Sequence, residues 1–242
     1  MGTKVKPYKT SQDSKKQQVA QMFDNISHRY DFLNHLLSLN IDKLWRNKVV
    51  RMATVHQPKK VLDVATGTAD LALALRKSGA QEIIGVDISE GMLNIGRAKV
   101  KQQNLDALIR LDLGDSEALP YDEDYFDLIT VAFGVRNFEN LDTGLAEIYR
   151  VLRPGGQVLI LEFSQPGHAV LRSLYRFYSN YILPQLGKLV SRDTDAYTYL
   201  PESVDAFPYG QNFVDHLQSA GFQQNEFRPV TFGVATIYQS FK

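Results

Sequence analysis

Two amphipathic helices are predicted near the start of the chain. From Gln17 onward, apolar residues recur at helical spacing, at Val19, Met22, Phe23, Ile26, Tyr30, Leu33 and Leu37. The same spacing returns at Leu44, Trp45, Val49 and Met52, and Pro58 ends the pattern. Residues 17–58 are therefore predicted to form a helical leader. Residues 1–16 are polar and lysine-rich, which is typical of a flexible tail.

Beyond the leader, short β-branched runs alternate with amphipathic stretches. The runs KVLDVA, EIIGVDIS, ALIRLDLGD, FDLITVAFG and QVLILEF are predicted strands. Helical stretches separate most of them, among them MLNIGRAKVKQQ with Ser89 as its N-cap. This alternation favours parallel strands joined by right-handed crossovers, and hence an open, doubly wound α/β sheet.

The last third of the chain departs from this rhythm. Residues 164–208 hold seven aromatic side chains, at Tyr175, Phe177, Tyr178, Tyr181, Tyr197, Tyr199 and Phe207. One helix, QNFVDHLQSAGF, and two strands divided at Arg228-Pro229 are predicted after this insert. Too few residues separate the two strands for a crossover helix, so the last one must be antiparallel. The predicted fold is α/β and Rossmann-like: one domain, residues 17–242, with a mostly parallel seven-stranded sheet.

Composition excludes several chemistries. The 242 residues are 44% hydrophobic and 22% charged, as in ordinary globular proteins. Cysteine is absent, which excludes thiolate nucleophiles, iron–sulfur clusters and cysteine-bound zinc. The five histidines show no metal-ligand spacing, so no metal site is predicted. Neither a membrane-spanning run nor a signal-peptide core is visible, and we expect a cytoplasmic protein.

Three aspartates stand at the ends of three successive predicted strands: Asp63, Asp87 and Asp115. Ligands of open α/β sheets bind at this edge. A dinucleotide site would have three glycines after the first strand, where this chain has only Gly67, and Asp63 would repel a pyrophosphate. The carboxylates instead suit the amino group, ribose hydroxyls and adenine amine of S-adenosylmethionine. We therefore predict a class I methyltransferase, with Gly67 approaching the cofactor and Ser116 beside Asp115.

The segment after the fourth strand limits which kinds of atom could accept the methyl group. Its sequence, AFGVRNF, lacks the Asn/Asp-Pro-Pro-aromatic run of enzymes that methylate nucleobase amines. Pyrimidine C5 methylation and radical methylation both need cysteines, which the chain lacks. We therefore expect no nucleic-acid partner. An oxygen, a non-nucleobase nitrogen and an electron-rich carbon stay open as acceptors.

Four segments resemble the ubiquinone/menaquinone biosynthesis C-methyltransferase family: ISHRYDFLNHLLSLNIDKLWR, AFGVRNF, YRVLRPGGQVLILEFSQP and TFGVATIY. RVLRPGG is common to many methyltransferases, whereas the combination of the leader motif with FGVRNF and LEFSQP is specific. The resemblance covers about residues 17–242. It implies S-adenosylmethionine as the cofactor and a polyprenyl quinol as the substrate, methylated at a ring carbon. By position, it implies cofactor contacts at Thr68, Asp87, Asp115 and Ser116, although capping a helix is the alternative role for Thr68.

Quinol chemistry defines the catalytic residues that we expect. A ring carbon ortho to a hydroxyl becomes nucleophilic once that hydroxyl loses its proton, so the site must position the ring and stabilise a phenolate. We predict that Arg136 stabilises the phenolate and that Asn137 orients the substrate or a water. Pairing with an acidic residue is the alternative for Arg136. The candidate bases in the leader are Tyr30, Asp31 and His28, which could instead serve helix packing and capping. Glu162, at the end of the fifth strand, is a further candidate base or a structural partner for Arg136.

The zero net charge hides an asymmetry. Residues 1–60 carry 12 Lys/Arg against 4 Asp/Glu, whereas residues 61–242 carry 15 against 23. The cationic section is either a solvated arm or a face toward anionic lipid at a membrane surface. The aromatic insert at residues 164–208 suits a lid over an apolar ring and the start of a prenyl tail. Open alternatives are a benzoquinol instead of a naphthoquinol, O- or N-methylation of another apolar molecule, a scaffold without turnover, and the oligomeric state, a homo-oligomer included.

Overall fold

The computed structural model describes residues 5–38, 40–168, 172–173 and 194–242, with the backbone alone at 32–37 and 194–197. Its helices are α1 (Lys15–Leu37), α2 (Ile41–Thr54), α3 (Asp70–Leu75), α4 (Glu90–Gln102), α5 (Leu141–Val151), α6 (Thr194–Ala206) and α7 (Gln211–Ser219). Its strands are β1 (Lys60–Val64), β2 (Glu82–Asp87), β3 (Ile109–Leu113), β4 (Phe126–Ala132), β5 (Leu152–Phe163), β6 (Gln223–Val230) and β7 (Ala235–Phe241). Most of the predicted lid, and the side chains of its aromatic residues other than Tyr199 and Phe207, lie outside the described residues.

The strands form one sheet in the order β3-β2-β1-β4-β5-β7-β6. β1 to β5 pair in parallel, whereas β7 is antiparallel to both of its neighbours, β5 and β6. This topology confirms the predicted α/β fold and its antiparallel last strand. The strand order reverses between β1 and β4, and a crevice forms at such a point, beyond the carboxyl ends of the strands.

The last two strands differ from the prediction in their boundary. We predicted a division at Arg228-Pro229, but β6 continues through Pro229, which pairs with Thr236 of β7. β6 is the last strand in the sheet order, and an edge strand tolerates a residue without a backbone donor. The turn falls instead at Thr231-Phe232-Gly233.

The helices cover both faces of the sheet because neighbouring residues of each strand point to opposite sides. Val61 and Leu128 belong to the core on one face, together with residues of α2, α3 and α4. Leu62 and Ile129 belong to the core on the other face, together with residues of α5 and α7. The nearly continuous apolar runs of these strands reflect burial on both faces.

Residues 5–16, predicted to be a flexible tail, lie against the domain. The backbone N–H of Tyr8 donates to Oε1 of Gln18 over 2.9 Å, and the Tyr8 ring packs beside Val19 and Met22 of α1. Lys15 is buried, and its Nζ donates to the carbonyl oxygen of Phe138 over 2.8 Å. Lysine-rich composition alone did not reveal these contacts, because each of them depends on residues that the fold brings near.

Candidate active site

A cleft lies at the carboxyl ends of β1, β2 and β4. Lys16, Val19, Phe23 and Tyr30 of α1 line one side of it, and their spacing places them on one face of that helix. The opposite wall comes from the loops that follow the strands. The leader is thus part of the cleft, at the reversal of strand order where ligands of such sheets bind.

Asp87 ends β2 and lines the cleft. Its Oδ2 accepts a hydrogen bond from the backbone N–H of Gly67 over 2.7 Å, and its Oδ1 accepts one from that of Ser89 over 2.9 Å. Burial raises the pKa of Asp87 to about 6, although these donors favour the ionised form. Each carboxylate oxygen retains a lone pair, so Asp87 can still accept from two vicinal hydroxyls.

Asp115 lies in the loop after β3, two residues beyond the end of the strand. Its Oδ1 accepts from the backbone N–H of Glu117 over 2.9 Å, and its Oδ2 pairs with the ammonium group of Lys16. The hydrogen bond to Asp115 raises the pKa of Lys16, so this ammonium is charged at neutral pH. Ser116 lines the same part of the cleft.

Asp63 takes a different position from the other two aspartates. It is 1% exposed, and it is not among the described residues that line the cleft. Its carboxylate accepts hydrogen bonds from the hydroxyls of Thr130 over 2.6 Å and of Thr66 over 2.7 Å. Burial raises the pKa of Asp63 to about 6, against the effect of these two donors. In this structure Asp63 joins the loop after β1 to strand β4.

The backbone after β1 is unusual. Ala65, Gly67 and Ala69 all take left-handed conformations, with φ of 53°, 57° and 66°. Glycine adopts this conformation readily and alanine does not, so the two alanines mark strain beside the cleft. A Cβ atom on Gly134 would lie 2.5 Å from the Cβ of Ala65, so glycine at 134 allows the loop after β4 to approach. These two loops shape the cleft between β1 and β4.

Thr68 and Asp31, predicted for different roles, contact each other. The Thr68 hydroxyl donates to Oδ1 of Asp31 over 2.5 Å. Nζ of Lys99 lies 2.6 Å from Oδ2 of Asp31 and 2.7 Å from Oδ1 of Asp70. This network connects α1 with the start of α3 and with α4. Neither Thr68 nor Asp31 is among the described residues that line the cleft.

Arg136 and Glu162 form a buried ion pair behind the wall of the cleft. Nη1 of Arg136 donates to Oε1 of Glu162 over 2.8 Å and to the carbonyl oxygen of Phe133 over 2.5 Å. Burial raises the pKa of Glu162, and the charge of Arg136 opposes this rise. Nε of Arg136 is buried without a hydrogen-bond partner in the described part of the chain. Phe133 lines the cleft and Arg136 does not, so the guanidinium holds the loop that carries Phe133.

Asn137 and Tyr30 are the two predicted catalytic residues that the structure brings to the cleft. Oδ1 of Asn137 accepts a hydrogen bond from the buried hydroxyl of Tyr199 over 3.1 Å. Burial raises the pKa of Tyr199 well above its usual range, which keeps this hydroxyl a donor. Tyr30 packs edge-on against Phe23, with ring centroids 5.9 Å apart. His28, by contrast, is exposed.

Residues 11–242 match the ubiE/COQ5 methyltransferase family. The chain belongs to this family. It is 47% identical to a demethylmenaquinone methyltransferase of Bacteroides fragilis over 99% of this chain and 98% of that protein. A ubiquinone/menaquinone biosynthesis C-methyltransferase UbiE of Idiomarina loihiensis is 39% identical over 97% of this chain and 94% of its own length. These matches confirm the family resemblance seen in the sequence.

Solved structures share the fold of this ubiE/COQ5 methyltransferase. The [4+2]-cyclase SpnF superposes with a TM-score of 0.68 at 17% identity, over 94% of this chain and 96% of the cyclase. A Haemonchus contortus phosphoethanolamine N-methyltransferase, solved with S-adenosylhomocysteine, superposes with a TM-score of 0.57 at 16% identity, over 76% of this chain and 48% of that chain. At these identities the likeness shows the fold alone. It confirms the predicted class I methyltransferase architecture.

The hydrogen-bond acceptors of the cleft fit S-adenosylmethionine. Asp87 offers two acceptor oxygens beside the backbone of Gly67, and Asp115 offers a second carboxylate in the neighbouring loop. A ribose diol and an adenine amine are both hydrogen-bond donors, so acceptor oxygens at two adjacent strand ends match them. The main mismatch is the charge of Lys16, which already occupies Oδ2 of Asp115.

Sequence reasoning missed three residues that shape this family member's cleft. Lys16 belonged to the predicted tail, and Tyr199 belonged to the aromatic insert. Asp24 of α1 accepts hydrogen bonds at Oδ1 from the Ser89 hydroxyl over 2.6 Å and from the Gly91 backbone over 2.8 Å. Local pattern gave no signal for these contacts, because each of them joins residues that are far apart in sequence.

Proposed function

We propose that this chain transfers a methyl group from S-adenosylmethionine to a ring carbon of a polyprenyl naphthoquinol, converting demethylmenaquinol to menaquinol. One observation carries the proposal: the 47% identity, over 99% of the chain, with a demethylmenaquinone methyltransferase. That match includes the leader helix, the loops of the cleft and the final hairpin. The acceptor-rich cleft at the switch point of the sheet supports it from geometry.

The cofactor is held, in this proposal, by residues at two adjacent strand ends. Asp87 accepts from the two ribose hydroxyls, and Asp115 with Ser116 receives the adenine amine. The backbone at Gly67 approaches the cofactor, because φ of 57° turns this loop toward the carboxylate of Asp87. Bound S-adenosylmethionine supplies an electrophilic methyl group on a sulfonium centre. Asp63 and Thr68 act indirectly, since their side chains hold the loop and the leader.

The quinol ring occupies the apolar part of the cleft. Phe23, Tyr30, Phe133 and Phe138 line this region, and aromatic side chains suit a flat, apolar ring. The Asn137 side chain orients a quinol oxygen, and Tyr199 holds that amide from behind. A quinol that loses its hydroxyl proton places negative charge on the ortho ring carbon, which is the carbon to be methylated. Exclusion of water by the leader favours this transfer.

Arg136 acts from behind the wall of the cleft. Its bonds to Glu162 and to the Phe133 carbonyl fix the segment from Phe133 to Asn137. The pair with Glu162 balances its charge, so we infer that positioning is its principal contribution. Direct stabilisation of a phenolate by Arg136 stays a prediction. The identity of the base likewise stays a prediction, with Tyr30 the one candidate at the cleft.

A benzoquinol is the second candidate substrate. Several relatives at 38–43% identity carry the name ubiquinone/menaquinone biosynthesis C-methyltransferase UbiE, which covers both ring systems. The 47% identity to a protein named for demethylmenaquinone alone exceeds these values and favours the naphthoquinol.

Contact with a membrane surface follows from the proposed substrate. A polyprenyl tail lies in a bilayer, whereas no helix in the described ranges combines the length and apolarity needed to span one. We infer that the protein meets the bilayer peripherally, with exposed cationic residues of the section 1–60 toward anionic lipid.

The test is methyl transfer by the purified protein. Methyl-labelled S-adenosylmethionine is incubated with short-chain demethylmenaquinol and, separately, with the corresponding benzoquinol. We expect label in menaquinone, faster than in the benzoquinone. Asp87→Ala should lose this transfer, whereas Asp106→Ala, which removes an exposed carboxylate away from the cleft, should retain it. Cofactor binding without label in either quinone would reject the proposal.

A further inference from the structure

The tip of the final hairpin holds a phenylalanine out toward solvent. Phe232 is 78% exposed, and its φ of 58° is unusual for a bulky side chain. Thr231 before it also has a positive φ, of 46°. The turn therefore keeps a strained conformation that presents an aromatic ring, a feature that folding alone does not explain.

A second exposed apolar residue lies beside this tip. Leu44 of α2 is 67% exposed. The next residue, Trp45, donates from Nε1 to the Thr231 hydroxyl over 2.8 Å, which holds the start of α2 against the hairpin tip. Leu44 and Phe232 are each the chain neighbour of one partner in this hydrogen bond, so their backbones lie close together.

Cationic residues surround this apolar pair. Lys43, Lys48 and Arg51 are exposed on α2, and the spacing of Lys43, Leu44, Lys48 and Arg51 places them along the outer side of the helix. The acidic residue of α2, Asp42, is buried and paired with Arg46. The exposed surface of α2 is therefore cationic around an apolar centre, which complements anionic headgroups above hydrocarbon.

An aromatic path connects this surface with the cleft. Trp45 lies with its ring centroid 6.1 Å from that of Phe133 and 6.3 Å from that of Phe163. Phe133 lines the cleft, so the hairpin tip stands at its aromatic side, on the carboxyl edge of the sheet.

We propose that Phe232 and Leu44, with Lys43, Lys48 and Arg51, form the surface that docks on an anionic bilayer. We call these five residues the docking surface. Phe232 and Leu44 enter the interfacial region, and the three cations contact anionic headgroups. The purpose of this contact rests on the proposed function, since it brings the cleft to a bilayer-borne quinol. The surface itself is defined by exposure, charge and backbone geometry, which do not depend on that function.

Single-cysteine labelling tests the insertion directly, because the chain has no cysteine of its own. Phe232→Cys carries an environment-sensitive fluorophore, and Val55→Cys is the matched control. Val55 is 74% exposed and follows the last residue of α2. It lies about 17 Å from Leu44 along the helix axis, at 1.5 Å per residue. We expect a blue shift at residue 232, and none at residue 55, when phosphatidylglycerol vesicles are added. A label at 232 that is already blue-shifted without vesicles, and unchanged by them, would show another part of the chain over Phe232 and overturn the proposal.

Sedimentation with vesicles tests how much the residues of the docking surface contribute to membrane binding. Phe232→Ser should lower partitioning onto phosphatidylglycerol vesicles about tenfold, since the phenyl group no longer enters the interface. Lys43→Gln with Lys48→Gln should lower it by a similar factor on anionic vesicles and leave phosphatidylcholine binding unchanged. Val55→Ser should stay within about twofold of the parent. If neither Phe232→Ser nor the double variant Lys43→Gln with Lys48→Gln changes partitioning, the docking surface is rejected. It is also rejected if Phe232→Ser changes only self-association in solution.

Measurements of turnover distinguish a failure of the docking surface from a failure of the proposed function. Phe232→Ser should retain activity on a short-chain quinol in solution and lose it, about in proportion to partitioning, on a long-chain quinol in vesicles. Equal activity of parent and Phe232→Ser on the vesicle substrate would reject the docking surface and leave the methyltransferase intact. Insertion of residue 232 without methyl transfer to any quinol would reject the function and leave the surface intact.

Discussion

Lys16 pairs with Asp115 at the cleft although 99 residues of chain separate them. The ammonium group takes the acceptor oxygen that we assign to the adenine amine. Lys15 beside it points elsewhere, to the carbonyl oxygens of Arg136 and Phe138. Two adjacent lysines of the leader therefore have different roles: Lys15 anchors α1, and Lys16 competes for an acceptor in the cleft.

Lys16→Met should strengthen cofactor binding. The adenine amine would no longer displace an ammonium group from Asp115, and a partly exposed ion pair of this kind is worth about 1 kcal/mol or less, so Kd should fall up to about fivefold. Isothermal titration calorimetry measures this. Lys9→Met, which removes the exposed pair with Glu202, is the control and should leave Kd unchanged. Weaker binding by Lys16→Met would show that the lysine supports the cofactor.

Cofactor affinity should fall in acid. Burial raises the pKa of Asp87 to about 6, and the acceptor role requires the ionised form. Below pH 6, affinity should therefore fall by up to about tenfold per pH unit. Asp87→Asn should bind more weakly at neutral pH and show a flatter profile. A parent affinity that is constant from pH 7 to pH 5 would contradict the role of Asp87.

Stability should respond to pH in the opposite direction. The folded-state pKa values of Asp63 and Asp87 lie near 6, above the ordinary aspartate value of 3.8. The native protein then binds more protons than the unfolded chain between about pH 4 and 6, so these two groups lower the free energy of unfolding as pH rises through that window. Chemical denaturation of the parent and of Asp63→Asn, compared at pH 4.5 and 7, measures this. An Asp63→Asn variant with the same pH slope as the parent would exclude a contribution from Asp63.

The buried pair of Arg136 and Glu162 allows structure and catalysis to be separated. Arg136→Ala leaves a buried carboxylate without its partner and should destabilise the fold by about 3–5 kcal/mol. Arg136→Met with Glu162→Leu removes both charges and should recover most of that loss. Denaturant unfolding gives the stabilities, and methyl transfer by the double variant gives the function. Full turnover by a stable double variant would exclude any catalytic part for the Arg136 charge, including positioning of the Phe133 loop.

Tyr199 should act on turnover through Asn137. Tyr199→Phe removes the donor to Oδ1 of Asn137 and should lower kcat about tenfold, with KM for the cofactor within about twofold. In an Asn137→Ala background the same change should have little further effect, because the coupled atom is gone. Tyr125→Phe, which loses a hydrogen bond to Glu82 away from the cleft, is the control. Additive losses in the double variant would contradict the coupling.

The fold was largely predictable from the sequence. Hydrophobic period and strand–helix alternation give the parallel part of the sheet, and the Ser89 hydroxyl caps α4 at the predicted position by accepting from the Met92 N–H. The boundary at Pro229 was wrong because a proline stops a central strand but not an edge strand. Local pattern cannot distinguish these two cases before the strand order is known.

The site was predictable in part. Asp87 and Gly67 follow from strand ends and turn chemistry, and they contact each other. The leader's contribution was harder to predict: the pairs Lys16–Asp115 and Asp31–Thr68 join residues far apart in sequence. Strand-end position also did not reveal that Asp63 points to Thr130 and Thr66, because one residue of register decides which way a side chain faces.

Loss of a ring hydrogen tests the central claim most directly. The purified protein is given S-adenosylmethionine and a demethylmenaquinol that carries deuterium at its unsubstituted ring carbon, and the methylated product is analysed by mass spectrometry. Carbon methylation replaces the ring deuterium, so the account predicts menaquinol without deuterium. A methylated product that retains the deuterium would place the methyl group on oxygen and contradict the account.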